Sequence, residues 1–315
     1  MSPGPEPSPP RDAVAARLPV AIAVVALGSF ALLLSLQAVL DNDIWWHLAA
    51  GRWIAEHRAV PRTDPFSTGG EHKPWVAYAW LFELLIWWLH QHLGLLGIVA
   101  YRAGFAVAIA LAAWRLVQKR EPRVAVAAVI TLVTIAAMRP VLTERSWLFT
   151  TLFFALSLDA IVDLREGRPR SPWPLAVGYA IWASTHIQFI YGLFAIGVGW
   201  LASVVELRRG LPVDPRAPRR LALLGGWCAL ATLVNPYGLR LWLTAANLGR
   251  DTAAFDFVTE LQAPPSTIRG TGWSWRCSCS PRSRWGAGPG CPSSRQRCWP
   301  QARCSPSAPS AMAGS

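Results

Sequence analysis

Charge is what this sequence has least of. Only 15% of its 315 residues are Asp, Glu, Lys or Arg, where a soluble globular domain carries about 25%. There are three methionines, and Cys228 is the only cysteine before Cys277. No histidine follows His186, and no Asp or Glu follows Glu260. Each absence excludes something. Low charge with 53% hydrophobic residues excludes a disordered chain and a coiled coil. The near lack of cysteine over most of the length excludes a disulfide scaffold. The lack of late histidines excludes a mixed Cys/His metal site built within the C-terminal stretch. There is no P-loop, G-x-S-x-G elbow, H-E-x-x-H pair or dinucleotide fingerprint, which argues against soluble nucleotide-using chemistry.

What is present is apolar and aromatic. Mean hydropathy is +0.29 and there are eighteen tryptophans. Together they indicate a multi-pass membrane protein. The net charge of +12 does not make it a nucleic-acid binder. Seven arginines after Glu260 account for more than half of it, and the remaining +5 is spread over loops, as topology charges are.

Composition shifts near Pro264-Pro265, from Leu, Ala, Val and Trp to Ser, Arg, Pro, Gly and Cys. The stretch 266–315 has no helical or strand period and too little aliphatic surface to offset chain entropy. Its five cysteines and four tryptophans are unusual for a disordered basic tail. Such residues are what GC-rich DNA yields out of frame. The favoured reading is an out-of-frame product replacing further spans; a genuine disordered basic tail is the alternative.

Ahead of this stretch the sequence predicts an all-α, polytopic transmembrane bundle over 18–265, preceded by a Pro-rich disordered tail, 1–17. Leu18 to Leu40 is an uncharged run of 23 residues, enough to cross about 30 Å of hydrocarbon at about 1.5 Å per residue. Further apolar runs fall at about 96–117, 124–140, 146–163, 172–187, 188–206 and 220–239, giving about seven spans. Three basic clusters separate them: Arg115 to Arg123, Arg165 to Arg170, and Arg208 to Arg220. Placing these clusters inside puts the N-terminus in the cytoplasm. A large loop, 41–95, then lies outside. It carries an amphipathic helix over Asp41–His57, with Ile44, Leu48 and the neighbouring tryptophans on one side. A second apolar segment, Trp75–Leu95, is either a span or an interfacial helix.

On this topology the unusual polar residues gather at the outer end. Asp41 and Asp43 follow the first span directly. Paired carboxylates there suit a divalent cation or general-base work, and equally suit capping of the next helix. His47 shares a helical face with Asp43 and is either a ligand and proton carrier or an interfacial hydrogen-bonder. His186 and Gln188 sit at the tip of a tight hairpin, as substrate contacts or as turn residues. Arg139 and Arg145 suit a phosphate; snorkelling, or pairing with Glu144, would use them equally well. Glu83 in its apolar run faces protein rather than lipid. Asn235-Pro236-Tyr237-Gly238 ends the last run. Trp45, Trp46, Trp53, Trp75, Trp80, Trp87 and Trp88 surround the loop. Most form an ordinary interfacial belt, although such rings also stack on sugars.

The run Asp41-Asn42-Asp43-Ile44-Trp45-Trp46-His47-Leu48 carries a resemblance. With it go Gly51, Pro61, Asp64-Pro65-Phe66-Ser67, Trp80-Leu81-Phe82-Glu83, Arg139-Pro140, His186 and the Asn235 turn. Over about 18–265 the chain resembles GT-C-type membrane glycosyltransferases, the group of the dolichyl-phosphate-mannose–protein mannosyltransferases and their bacterial relatives. The resemblance implies transfer of a sugar from a polyprenyl-phosphate donor on the outer face of the cytoplasmic membrane. Asp41 or Asp43 would be the catalytic base or metal ligand, and Arg139 or Arg145 would meet the leaving phosphate. His47, Glu83, His186, Gln188 and Asn235 would line the substrate site. The expected partners are the lipid-linked donor and membrane lipids. A divalent cation at Asp41 and Asp43 is the one cofactor the residues suggest. A transporter, a lipid carrier or an inactive fragment of the enzyme are the competing readings.

Overall fold

The structure, a computed structural model, describes residues 10–69 and 73–248; the side chains of the first helix are described from Arg17 onward. The stretch 266–315 lies outside the described residues. Ten α-helices and one short 3-10 turn make up the regular structure there, so the fold is all-α among the described residues. In chain order they are α1 (Pro10–Ser35), α2 (Asp43–His57), α3 (Trp80–Leu93), α4 (Leu95–Gln118), α5 (Val124–Ala137), α6 (Trp147–Arg165), α7 (Trp173–Thr185), α8 (Phe189–Arg208), α9 (Ala217–Ala231) and α10 (Leu239–Leu248).

Four helices are long and apolar enough to cross a membrane: Arg17–Ser35 of α1, α4, α6 and α8. Their exposed faces carry large apolar side chains such as Leu33, Phe194 and Leu201, which suits lipid and not water. Helix α1 begins at Pro10, eight residues before the apolar run. The Asp12-Ala13-Val14-Ala15-Ala16 stretch suits a helix behind a proline in its first turn, so helix reaches into the segment read as a disordered tail. Helices α5, α7 and α9 have 14, 13 and 15 residues, or about 20–23 Å of rise. In α5 the helix stops at Ala137 because Pro140 lies just beyond; Arg139–Val141 tightens into a 3-10 turn. Helix α9 stops eight residues short of the expected end. The asparagine turn then starts α10, which the sequence reading did not foresee.

The long helices α4, α6 and α8 run in the same direction and α1 runs opposite to them, with α5 and α7 returning the chain between them. The end of α1, the starts of α4 and α6 and the end of α7 share one end of the bundle; we call this the acidic-pair end. The ends of α4, α6 and α8 and the start of α9 share the other, arginine-rich end. Hydrogen bonds join residues within each end: Tyr101 to Arg145 and Thr150 to His186 at the first, Arg115 to Asp159 and Arg165 to Glu206 at the second. Helix α4 is central, packing against α1, α3, α5 and α6, while α8 and α9 extend the bundle from α6.

The segment 41–95 holds α2 and α3, packed against each other. Helix α2 begins within two residues of the expected start and ends at the expected residue. Its buried face is Ile44, Leu48, Ala50, Gly51 and Ile54. The tryptophans are not on it: Trp45 is exposed, and Trp46 leaves the helix to pack on Phe66 and Trp75 in the loop. Helix α3 packs on α2, α4 and α7; within the segment Trp75–Leu95 the helix covers Trp80–Leu93 only.

The α2–α3 contact is close enough to forbid a side chain. A Cβ at Gly51 would lie 2.0 Å from the Glu83 carbonyl oxygen and 2.6 Å from the Trp87 Cβ. Both are backbone or near-backbone atoms that cannot step aside. Gly51→Ala is therefore expected to cost about 1–3 kcal/mol, whereas Gly69→Ala, at a position with open space around it, should be neutral. Thermal unfolding of the two variants in detergent checks this; equal melting temperatures would contradict the packing.

Candidate functional site

The site begins with a buried ion pair. Arg102 lies in the second turn of α4, and Glu144 just before α6. Their side chains are 3% and 2% exposed and meet at 2.7 Å. The Arg102 guanidinium also donates to the Ser35 carbonyl at 2.8 Å and to the Gln37 carbonyl. These are carbonyls at the end of α1 that no helical N–H reaches. The second Glu144 oxygen accepts the Leu40 N–H at 3.1 Å. One pair thus fixes both walls of the segment leaving α1, and with it the position of Asp41. Glu144 is therefore not the partner of Arg145.

Arg145 meets the two aspartates. Its Nε donates to Asp41 Oδ2, its Nη2 is 3.0 Å from Asp41 Oδ1, and its Nη2 is 3.0 Å from Asp43 Oδ2. The guanidinium lies 5.0 Å above the Trp147 ring, which holds its plane by cation–π attraction. Asp41 also caps α2, accepting the Asp43 N–H at 3.0 Å, while the Asn42 side chain makes no cap bond. Of the two readings of Asp41, this bond is the capping one. Burial alone would raise its carboxyl, but the Arg145 and Asp43 hydrogen bonds and the Arg145 charge hold it below the ordinary carboxylate range. Asp43 is the more open carboxylate, with its side chain 56% exposed. The cation between the two is Arg145, and no group of three or more His, Cys, Asp or Glu suited to a metal ion occurs among the described residues.

One helical turn further along α2, His47 Nδ1 lies 3.4 Å from Glu83 Oε1. Glu83 faces protein, as expected: it is 3% exposed, and its other oxygen, Oε2, has no hydrogen-bond partner. The Gly51 contact brings these two helices together and so sets this pair. The His47 ring packs edge-on against Phe82. On the far side, His186 Nδ1 is 2.8 Å from Thr150 Oγ1, which also accepts the Trp182 indole N–H at 2.9 Å. Tyr78 lies edge-on to His186. Tyr237 donates to the Pro61 carbonyl at 2.6 Å and accepts the Ala77 N–H at 3.0 Å, tying the loop to the turn before α10.

Asp41, Asp43, Arg145, His47, Glu83 and His186 therefore gather at one end, beside α2 and α3. The other expected residues stand apart from their polar contacts. Arg139 is exposed, makes no side-chain hydrogen bond or ion pair among the described residues, and lines a cavity of about 330 Å³ shared with Asp41, Arg102 and Thr143. Gln188 is a half-buried N-cap residue of α8 with no side-chain cap bond. Asn235 is spent locally: it accepts the Tyr237 N–H and donates to the Thr232 carbonyl. Its role is to shape the turn that delivers Tyr237. Arg102, Tyr78, Thr150 and Tyr237 were not among the expected residues. Only Arg102 left a signal, as a charge in the interior of the apolar run 96–117, away from the basic cluster that starts at Arg115.

Comparison with protein-family models, with curated proteins and with solved structures finds no match to this chain in any of the three.

Two outcomes follow from these geometries. Arg102→Met strands Glu144 in the interior and is expected to cost about 3–5 kcal/mol, with the double change Arg102→Met, Glu144→Met costing less than either single change. Detergent unfolding of the three variants checks it, and strict additivity would refute the pairing. The second concerns acid. Asp41 binds its proton less readily when folded. The stability it adds is complete above the unfolded value of about 3.9 and disappears as pH falls through the lower folded value. The melting temperatures of the parent and of Arg145→Gln should therefore converge as pH drops from about 6 to about 3; a gap that stays constant would contradict the assignment.

Proposed function

We propose that this chain is an integral membrane glycosyltransferase, transferring a sugar from a polyprenyl-phosphate donor to an acceptor hydroxyl at the acidic-pair end of the bundle. The observation that carries the reading is the gathering of Asp43, His47, Glu83, His186 and the Asp41–Arg145 pair at the ends of long apolar helices. Ionisable groups at such a boundary are expensive to keep and mark sites of chemistry or transport.

The reaction needs few parts. An acceptor hydroxyl oxygen attacks the anomeric carbon, the bond from that carbon to the phosphate oxygen breaks, and the hydroxyl proton leaves to a base. Asp41 is held by Arg145 and α2, so Asp43 is the carboxylate free to receive or orient the hydroxyl. His47 is the second proton acceptor. With its Nδ1–H directed at Glu83 Oε1, its Nε2 carries the lone pair. Arg139, without a side-chain partner among the described residues and beside the cavity next to Asp41, is placed to meet the departing phosphate. The isoprenoid tail would lie in the apolar cleft of about 920 Å³ between α4, α5, α6 and α8, whose lining includes Thr150, the partner of His186.

The same reading takes α5, α7 and α9 as short spans beside the four long ones. That gives seven crossings, an N-terminus in the cytoplasm and the acidic-pair end outside. A lipid carrier would use the same cleft, so chemistry separates the two readings. Purified protein in liposomes with a polyprenyl-phosphate sugar should release free polyprenyl phosphate. Asp43→Asn and His47→Gln should each slow that release by about 100-fold or more without impairing membrane insertion. Normal transfer by the Asp41→Asn, Asp43→Asn double variant would overturn the enzyme reading. Movement of the donor across the bilayer without its consumption would establish the carrier.

A further inference from the structure

The arginine-rich end holds a second cluster, unrelated to the site above. Asp159 and Asp163 stand one turn apart on α6, both nearly inaccessible. Arg115 Nε reaches Asp159 at 2.9 Å, and Lys119 Nζ contacts both carboxylates, at 2.7 Å for Asp163. Arg170 Nη1 lies 2.5 Å from Asp159 and 2.9 Å from Asp163, and Arg168 Nε lies 2.6 Å from Asp163. Four cations thus share two carboxylates. Arg120 and Glu166 form a further pair at 2.8 Å, which leaves the imbalance unchanged.

An excess of two positive charges packed this closely is unfavourable unless another anion completes it. Three further observations say where that anion sits and what it is. The side chains of Arg115 and Arg168 are 60% and 46% exposed. Each guanidinium has five N–H groups, and the two carboxylates and Glu166 use only some of them. An open cleft of about 740 Å³ lies against Arg115, Lys119 and Arg168, with Trp114, Gln118, Pro169 and the cation-paired Asp163 completing its wall. Finally, the cluster sits at the last turns of α4 and α6, two of the four helices long and apolar enough to cross a membrane. On α4, one turn before Arg115 and on the same face, Leu111 is exposed. Cations at the level of a headgroup, with apolar surface one turn deeper, match a phosphodiester that carries acyl chains.

We infer that this cleft is a binding site for the headgroup of an anionic phospholipid, with the phosphate held by Arg115 and Arg168 and supported by Lys119. The two aspartates keep the four cations at fixed spacing and halve their charge, and one phosphodiester offsets a further unit of the excess.

The test uses the full-length protein in a non-ionic detergent, with bound lipid counted by native mass spectrometry. Phosphatidylglycerol should be retained in preference to phosphatidylcholine. The double change Arg115→Gln, Arg168→Gln should weaken phosphatidylglycerol retention about thirtyfold and leave phosphatidylcholine unaffected. The charge-preserving pair Arg115→Lys, Arg168→Lys should keep most of the preference, as should Arg52→Gln, which alters an exposed arginine paired with Glu56 on α2. Circular dichroism confirms that each variant is folded, and for a double glutamine variant that is not, the single changes Arg115→Gln and Arg168→Gln are read instead. Equal retention of the two lipids by the parent overturns the proposal, as does an undiminished preference in the glutamine variants. Full displacement of phosphatidylglycerol by inorganic phosphate overturns the lipid assignment.

Discussion

The Arg102–Glu144 pair organises the acidic-pair end. A charge pair this deeply buried gives little net stability, because desolvation offsets most of its Coulomb energy. What it provides here is position. Arg102 donates to the carbonyls of Ser35, the last residue of α1, and of Gln37 just beyond it, and Glu144 takes the Leu40 N–H. The segment between α1 and α2 has no regular structure to define its path. Two charged side chains from α4 and the start of α6 define it instead. Asp41 then arrives where Arg145, the next residue after Glu144, can receive it, and α2 starts from Asp41. The order of dependence runs from a buried pair to a loop path, to a helix start, to the placement of His47 against Glu83.

The two ends of the bundle manage charge differently. At the acidic-pair end Arg102 matches Glu144, Arg145 faces two carboxylates, and Glu83 has one oxygen left over. That end is acid-rich around α2, and its spare capacity is for accepting protons. At the other end the spare capacity is for anions. The three basic clusters that suggest topology in the sequence are not bare there. Asp159, Asp163, Glu206 and Asp214 each meet an arginine from them. Basic residues in a loop thus both bias orientation and build structure.

Much of the fold was legible, for a simple reason. Apolar runs of about 20 residues and breaks at Pro and Gly are one-dimensional signals, so α4, α6, α8 and α2 fall close to where the sequence places them, whereas α1 ends at Ser35, five residues before the end of the run 18–40. Helix ends set by local competition were less legible: Pro140 and the Asn235 turn shorten α5 and α9 by several residues. Within the site, Asp41, Asp43, His47, Glu83 and His186 stood out as polar residues beside apolar runs. Arg145, which meets both aspartates, stood out as well, but the residues around His186 and the Asn235 turn did not. Thr150 and Tyr237 look like any other polar residue in a helix or turn, and only the packing of α6 on α7 or of the turn on the loop gives them a role. Asp159 and Asp163 lie inside the run 146–163 read as apolar, and nothing in their spacing shows that four cations converge on them. The tryptophans of α2 show the converse: they were grouped on one side with Ile44 and Leu48, yet those two are buried while Trp46 packs on the loop and Trp45 is exposed.

The spacing of these partners along the chain has a consequence for biogenesis. Gly51 meets Glu83 across only 32 positions, and both of its helices precede α4, so the α2–α3 unit can form as soon as it is made. Leu40 and Glu144 are 104 residues apart, as are Asp41 and Arg145. Until α6 begins to emerge from the ribosome, Arg102 must enter the bilayer with no carboxylate to meet it, aided only by the α1 carbonyls. The acidic-pair end is therefore completed late in synthesis. A nascent chain stalled before residue 144 would hold most of its helices in place around an unneutralised arginine, the kind of intermediate that membrane quality control recognises.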